Sequence, residues 1–110
     1  MNIDLGYRLQ EIDLQVLRKL NKITTQKSLA NELGVSVGKL NYILNALIDK
    51  GLVKAEKFIN SKNKIQYSYL LTPVGVNEKI KLTKAFIECK RAEYEELQAE
   101  LAMMKEANFD

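Results

Sequence analysis

The sequence predicts a mainly α-helical fold with one small β-hairpin and a long C-terminal helix. Apolar residues recur at three- and four-residue spacing through most of the chain, which is typical of amphipathic helices. Residues alternate with period two on both sides of a polar stretch, residues 60–64, as in a hairpin. No glycine or proline interrupts residues 76–107. The 110 residues are enough for one modest hydrophobic core.

The first helix is predicted from about Tyr7 to Lys22, and residues Ile23 and Thr24 could add a short strand edge. Its apolar residues recur at helical spacing, so we expect them to cover the core while the charged residues face solvent. The inward set is Leu9, Ile12, Val16, Leu17 and Leu20, and the outward set is Arg8, Glu11, Asp13, Arg18 and Lys19.

Residues 24–53 predict two short helices joined by a tight turn. Thr25 and Ser36 can cap the two helices, because a hydroxyl satisfies a free N–H of the first turn. Gly34 and Gly51 stand where the chain must leave each helix, a position that favours positive φ. The residues expected to face the core are Leu29, Ala30 and Leu33, followed by Leu40, Leu44, Leu47 and Ile48.

The outer face of the second short helix is polar. Residues placed at ~100° intervals put amides, a lysine, a phenol and a glycine on the side away from the leucines. Amides pair with adenine edges, lysine pairs with guanine or phosphate, and glycine permits close approach. This is the helix-turn-helix pattern, whose second helix enters the DNA major groove; the alternative is a polar surface helix of a small bundle. The candidate major-groove residues are Ser36, Gly38, Lys39, Asn41, Tyr42 and Asn45.

The hairpin after Gly51 would form a wing beside the helix-turn-helix. Lys62 and Lys64 stand at its tip among small polar residues, a composition suited to phosphates or to the minor groove. A generic polar turn has a similar composition and is the alternative. The side chains expected on the inner face are Val53, Ala55, Lys57, Ile65, Tyr67, Tyr69 and Leu71.

Thr72 and Pro73 predict the start of the last helix, as N-cap and first helical residue. At ~1.5 Å per residue the helix is on the order of 45 Å long, which favours a partner for its far half. We therefore divide the chain into a DNA-binding domain, residues 1–75, and a homodimerisation helix, residues 76–110, that pairs as a short coiled coil. The alternative is a helix that folds back on its own domain. The expected dimer-interface residues are Ile87, Tyr94, Leu97, Leu101 and Met104.

Charge and composition narrow the function. Residues 1–84 carry 14 Lys or Arg against 7 Asp or Glu, and residues 85–110 carry 3 against 7, so a basic body precedes an acidic tail.

The chain has no histidine and one cysteine, Cys89. Neither a disulfide nor a metal site is therefore expected, and Cys89 is interpreted as inert packing. We expect no enzyme and no cofactor. Without a membrane span or leader, a cytoplasmic protein is expected.

With these elements in place, residues 9–90 resemble the MarR-type winged-helix transcription regulators. The resemblance rests on Gln26–Ala30 followed by Leu33–Ser36, on Leu47–Val53, and on Leu71–Gly75 after the wing. It implies a homodimer that binds double-stranded DNA as a transcription regulator. The stretches 60–64 and 67–73, with the short length, look most like the small members associated with exopolysaccharide gene clusters.

The chain also departs from that family. Many members carry Asp-x-Arg at the wing tip, where this chain has Asn63 and Ile65, so Lys62 or Lys64 must replace that contact or it is lost. Full-length members also have extra terminal helices that build a dimer interface and often a pocket for small aromatic effectors. We expect this chain to be too short for both, so no small-molecule effector is expected. Phosphate contacts are expected from Thr25, Gln26 and Lys27, at the start of the first of the two short helices.

Two other readings remain open. A winged helix can act as a protein–protein interaction module without DNA readout, and here the outer face carries one lysine and also Asp49. A single-strand or RNA binder would need exposed stacking aromatics, of which Tyr42 is the clear candidate.

Overall fold

The computed structural model describes residues 9–20 and 23–107, which form four helices and a three-stranded sheet. The chain divides into two compact units, residues 1–80 and 81–110. The predicted order of helices, hairpin and long last helix is confirmed. The elements are α1 (Glu11–Arg18), β1 (Ile23–Thr24), α2 (Gln26–Leu33), α3 (Val37–Asp49), β2 (Val53–Ile59), β3 (Ile65–Leu71) and α4 (Pro73–Glu106).

The core of the first unit is formed by most of the predicted apolar stripes of its helices, together with Leu14 and Ile43, which were not predicted. Val16 and Leu17 of α1 are at most 1% exposed, and so are Leu29 and Ala30 of α2. In α3, Leu40, Leu44 and Leu47 are buried to the same degree, and Ile43 joins them at 2%. Full burial of one such side chain contributes roughly 1.5–3 kcal/mol. These helices are therefore held by packing, as short helices must be.

Helix α1 differs from its prediction at both ends. Tyr7, Arg8 and Lys22 lie outside the described residues, and the helix itself starts at Glu11 and ends at Arg18. Asp13 was predicted to face solvent, but it is fully buried. Its carboxylate accepts a hydrogen bond from the Gln10 N–H, so it caps the first turn instead of projecting outward. The Lys19 N–H bonds back to the Val16 carbonyl and ends the helix early.

The sheet has the order β1-β3-β2, with both pairings antiparallel. The predicted strand edge is confirmed as β1, which pairs with Tyr67 and Ser68 of β3. The predicted inner face is only partly buried. Val53 and Tyr69 are 3% and 2% exposed, but Ala55, Lys57 and Ile65 are exposed. The core covers only the base of the hairpin, so alternation in its outer half has no buried face.

Thr72 joins the residues that follow α3 to the start of α4, through hydrogen bonds of both its side chain and its backbone. Thr72 caps α4 as predicted: its hydroxyl accepts from the Gly75 N–H at 2.9 Å and donates to the Gly51 carbonyl. The Thr72 N–H also donates to the Leu52 carbonyl at 3.1 Å. These bonds tie the residues that leave the second short helix to the first turn of the last one.

The second unit contains the far part of α4. Its described residues, 81–107, are helical up to Glu106, and all but Leu82 and Phe86 are exposed. Most of the large apolar residues are exposed, for example Tyr94 and Leu97 at 63% each. An Arg91–Glu88 ion pair at 3.3 Å lies on the helix surface, one turn apart.

Candidate nucleic-acid interface

The turn between α2 and α3 has the geometry predicted for a helix-turn-helix. Gly34 adopts the left-handed conformation, with φ of 72°, and the Val35 N–H bonds to the Ala30 carbonyl at 3.0 Å. The Ser36 hydroxyl then accepts from the Lys39 N–H at 3.0 Å and starts α3. Gly51, with φ of 77°, follows the last turn of α3. The ends of the candidate recognition helix are therefore set by the residues that the sequence singled out.

One face of α3 is exposed and polar, as expected. Tyr42 is 63% exposed, while the leucines on the opposite face are at most 1% exposed. The remaining predicted residues on this face, Ser36, Gly38, Lys39, Asn41 and Asn45, are all exposed. Asn45 and Tyr42 are therefore both accessible. Burial of these two side chains inside the protein would have excluded contact with bases.

The start of α2 lies beside this face. The Thr25 hydroxyl accepts from the Ser28 N–H at 3.0 Å and caps the helix. Lys27 is exposed, and Thr25 and Gln26 are half-buried. The side chain of Gln26 is engaged on both sides, since its Nε2 donates to the Tyr69 hydroxyl at 3.3 Å and its Oε1 accepts from Asn41 Nδ2 at 3.3 Å. The helix start thus brings a positive helix end and a lysine next to α3.

The wing tip is a defined turn. Asn60 organises it, because its Oδ1 accepts from the backbone N–H of Lys62 at 2.9 Å and from that of Lys64 at 3.0 Å. Asn63 has a φ of 58°, a conformation that asparagine tolerates better than most residues. The Lys62 and Lys64 side chains are exposed. The tip therefore presents two cations on an ordered backbone.

Sequence reasoning missed two residues of this surface. Tyr69 was expected to pack inward, which is correct, but its hydroxyl also accepts the hydrogen bond from Gln26. Burial raises the pKa of the Tyr69 hydroxyl, and the Gln26 hydrogen bond opposes that shift, so the group stays a neutral phenol at pH 7. Asn60 was part of a stretch interpreted only as polar. An asparagine directly after a strand is a turn signal that could have identified it.

The described residues were also compared with the requirements of a metal site, a disulfide and a membrane span. Residues 9–20 and 23–107 contain no group of three or more potential metal ligands. Cys89 was interpreted as inert packing, but it is an exposed free cysteine on α4, so it does not pack against the core. Within the described part of the chain, no helix has both the length and the apolar character that crossing a membrane requires.

Comparison with known proteins agrees with this geometry. The sequence model of a family described as winged helix-turn-helix DNA-binding matches residues 9–54. The transcriptional regulator BldR from Sulfolobus solfataricus has a similar structure, with a TM-score of 0.65 and 20% identity over 90% of this chain and 75% of BldR. No curated protein sequence matches the chain significantly.

Two further solved structures show the same similarity. ZitR from Lactococcus lactis, described as a zinc-responsive MarR family member, has a TM-score of 0.58 and 21% identity over 91% of this chain and 68% of ZitR. MepR from Staphylococcus aureus, a transcription regulator of a multidrug efflux pump, has a TM-score of 0.57 and 19% identity over 90% of this chain and 79% of MepR. The chain has a MarR-like winged helix-turn-helix fold.

In this winged helix-turn-helix, α3 stands at the place of the recognition helix and the hairpin at the place of the wing. The matched family model covers α1, α2, the turn and α3, and so includes all the predicted major-groove residues from Ser36 to Asn45. These comparisons are with regulators rather than enzymes.

Proposed function

We propose that this chain is a homodimeric transcription regulator that binds double-stranded DNA sequence-specifically. The observation that carries the proposal is the exposed polar face of α3, backed by fully buried leucines. A helix fixed from behind in this way can enter the major groove, where amide side chains distinguish base edges.

The candidate residues take different roles in the complex. Asn41, Tyr42 and Asn45 contact base edges, while Gly38 lets the backbone approach the DNA closely. Lys39 binds a guanine edge or a phosphate. Thr25, Gln26 and Lys27 lie along the phosphate backbone at the start of α2, and Lys62 and Lys64 reach the backbone or the adjacent minor groove.

Residues 76–110 provide the dimer contact, and residues 1–75 provide DNA binding. The support is the apolar seam of α4, because its members recur at heptad spacing and are all exposed in the single chain, by 49% to 63%. Glu93, Gln98, Glu100 and Lys105 flank the seam, as expected of a coiled coil. The seam consists of Ile87, Tyr94, Leu97, Leu101 and Met104.

A symmetric dimer reads a roughly palindromic site, with its two recognition helices about one DNA turn apart, ~34 Å. We place this regulator in the cytoplasm, and exopolysaccharide genes are the proposed target, on the resemblance of the wing and of residues 67–73 to the small members of that group. We propose no small-molecule effector.

Selection from a random DNA pool, followed by mobility shift, tests the proposal. The protein should select one site with two-fold symmetry. Asn45→Ala should lose on the order of 1–3 kcal/mol on that site and discriminate less at one position of each half-site. Asn77→Ala is the matched control, since Asn77 is an exposed asparagine that belongs to α4 and not to α3.

The experiment also tests the rival function. The rival is a protein-interaction module, and its support is that the outer face of α3 carries Asp49 and only one lysine, Lys39. In that case a labelled random duplex at low salt would not shift, and Asn45→Ala would change nothing in the assay. Absence of any shift would therefore overturn the DNA-binding proposal.

A further inference from the structure

We infer that Tyr69, which is buried and does not reach the DNA, positions the base-reading amides of α3 through a relay of side-chain hydrogen bonds. The relay consists of Tyr69, Gln26, Asn41 and Asn45. This inference rests on the proposed DNA-binding function and adds a specificity-determining residue to it.

The relay connects three elements of the first unit. Asn45 Nδ2 donates to Asn41 Oδ1 at 3.0 Å, one turn earlier on α3. Asn41 Nδ2 donates to Gln26 Oε1 at 3.3 Å, at the start of α2. Gln26 Nε2 then donates to the Tyr69 hydroxyl at 3.3 Å, in β3. The bonds run in one direction, from the exposed amide of Asn45 to the buried phenol.

Tyr69 is a rigid end for this relay. Its side chain is 2% exposed, and its ring stacks on that of Tyr67, with centroids 5.6 Å apart and an interplanar angle of 17°. Its strand is the central one of the sheet and is paired on both sides. The hydroxyl therefore cannot follow the movements of an exposed side chain, and the amides connected to it are restricted in turn.

The direction of the relay determines what Asn45 offers to a base. One Nδ2 proton of Asn45 is committed to Asn41, so the other N–H and the carbonyl Oδ1 remain for a partner. That donor–acceptor pair is complementary to the N7 and N6 positions of adenine in the major groove. An untethered asparagine can rotate its amide and exchange donor for acceptor. The relay removes this freedom, so it favours adenine over bases that need the opposite arrangement.

The expected consequence is a loss of discrimination rather than of general affinity. Charged side chains that contact phosphates provide most non-specific binding. The relay contains no charged residue, because its members are one phenol and three amides. Removing the Tyr69 hydroxyl frees Gln26 and then both asparagines, which must be ordered again on each binding event. Affinity for the selected site should therefore fall much more than affinity for unrelated DNA, for which the uncharged Gln26 provides only one of several proposed phosphate contacts.

Tyr69→Phe tests this inference, with Tyr67→Phe as the matched control in the same strand. The probes are the duplex selected by the wild-type protein and a scrambled duplex of equal length. Tyr69→Phe should lower the ratio of the two affinities roughly three- to tenfold, the usual effect of one net hydrogen bond. Tyr67→Phe should leave the ratio unchanged. The position that loses discrimination should be the one that Asn45→Ala also relaxes.

A double-mutant cycle separates the relay from a general structural effect. If Tyr69 acts through Gln26, then Tyr69→Phe added to Gln26→Ala should cause no further loss in the affinity ratio. An additive loss would overturn the relay. So would a Tyr69→Phe variant that keeps the wild-type ratio, or one that loses affinity equally on both duplexes.

A second measurement needs no DNA. In the free protein, the side-chain amide NMR signals of Asn41 and Asn45 should shift in Tyr69→Phe and not in Tyr67→Phe. Unchanged signals would contradict the relay even if the protein binds DNA. A wild-type protein that selects no site would refute the proposed function, whereas the NMR shifts would still report on the relay itself.

Discussion

At the residue scale, Gly75 determines how closely the last helix can approach the end of α3. A Cβ at this position would lie 2.0 Å from the Leu52 carbonyl oxygen and 2.9 Å from its carbon. Only glycine permits this contact, because real Cβ atoms do not come so near a backbone group. The close approach is reinforced by Thr72, whose hydroxyl bonds to both Gly51 and Gly75.

Gly75→Ala should therefore lower the free energy of unfolding, by about 1–3 kcal/mol, the usual effect of overpacking. Chemical denaturation measures the change. Gly38→Ala is the matched control, since a Cβ there meets nothing within 4 Å and alanine is the better helix former. If Gly75→Ala and Gly38→Ala had the same free energy of unfolding, the contact between Gly75 and Leu52 would not be a tight one.

At the element scale, the recognition helix α3 and the wing hairpin differ in how firmly the core holds them. Helix α3 is fixed along its whole inner face, whereas the hairpin is buried only at its base, around Val53 and Tyr69. The outer half of the wing is held by strand pairing and by Asn60, whose side chain closes the tip. We therefore expect base discrimination from α3 and a general electrostatic contribution from the wing.

Lys62→Ala combined with Lys64→Ala should weaken binding to all duplexes to a similar extent. Each lost phosphate contact should reduce the slope of log affinity against log salt by about one. Mobility shift or fluorescence anisotropy at several salt concentrations measures the slope. The control is Lys19→Ala with Lys84→Ala, which removes the same charge from exposed positions outside the wing. A wing variant with the wild-type slope would exclude the phosphate role.

At the scale of the whole molecule, basic charge and exposed apolar surface lie in different parts of the chain. This division matches the two proposed tasks, DNA binding and dimerisation. The excess of basic residues lies in residues 1–84, with 14 Lys or Arg against 7 acidic residues. The exposed apolar seam lies in the acidic remainder, where Leu97 is 63% and Leu101 is 49% exposed. A row of leucines this exposed is unfavourable in a monomer, which supports pairing with a second copy.

If α4 pairs as proposed, Leu97→Asp with Leu101→Asp should convert the dimer to a monomer, because the two changes place charges within the apolar seam. Sedimentation equilibrium gives the mass. Ala99→Asp with Ala102→Asp is the matched control, since both alanines are exposed on the same helix but lie outside the heptad seam. If the dimer survives the leucine changes, the contact between copies lies on another surface.

Local signals in the sequence were sufficient for most of the fold. Thr25, Ser36 and Thr72 cap their helices as predicted, because capping depends on residues within one turn. The leucine stripe of α3 and the positive φ at Gly34 also follow from local spacing and backbone sterics. Asp13 was misplaced because its spacing suggested a surface position, whereas capping had turned it inward.

By itself, the sequence determined the helix-turn-helix, the wing and the exposed amide face of α3, since each depends on neighbours a few residues apart. Only the tertiary structure decided that Gln26 connects Tyr69, 43 residues away, to Asn41, 15 residues away. It also decided that Gly75 lies against Leu52. Such contacts depend on how complete elements pack together, and no local pattern of residue types records which side chains that packing brings together.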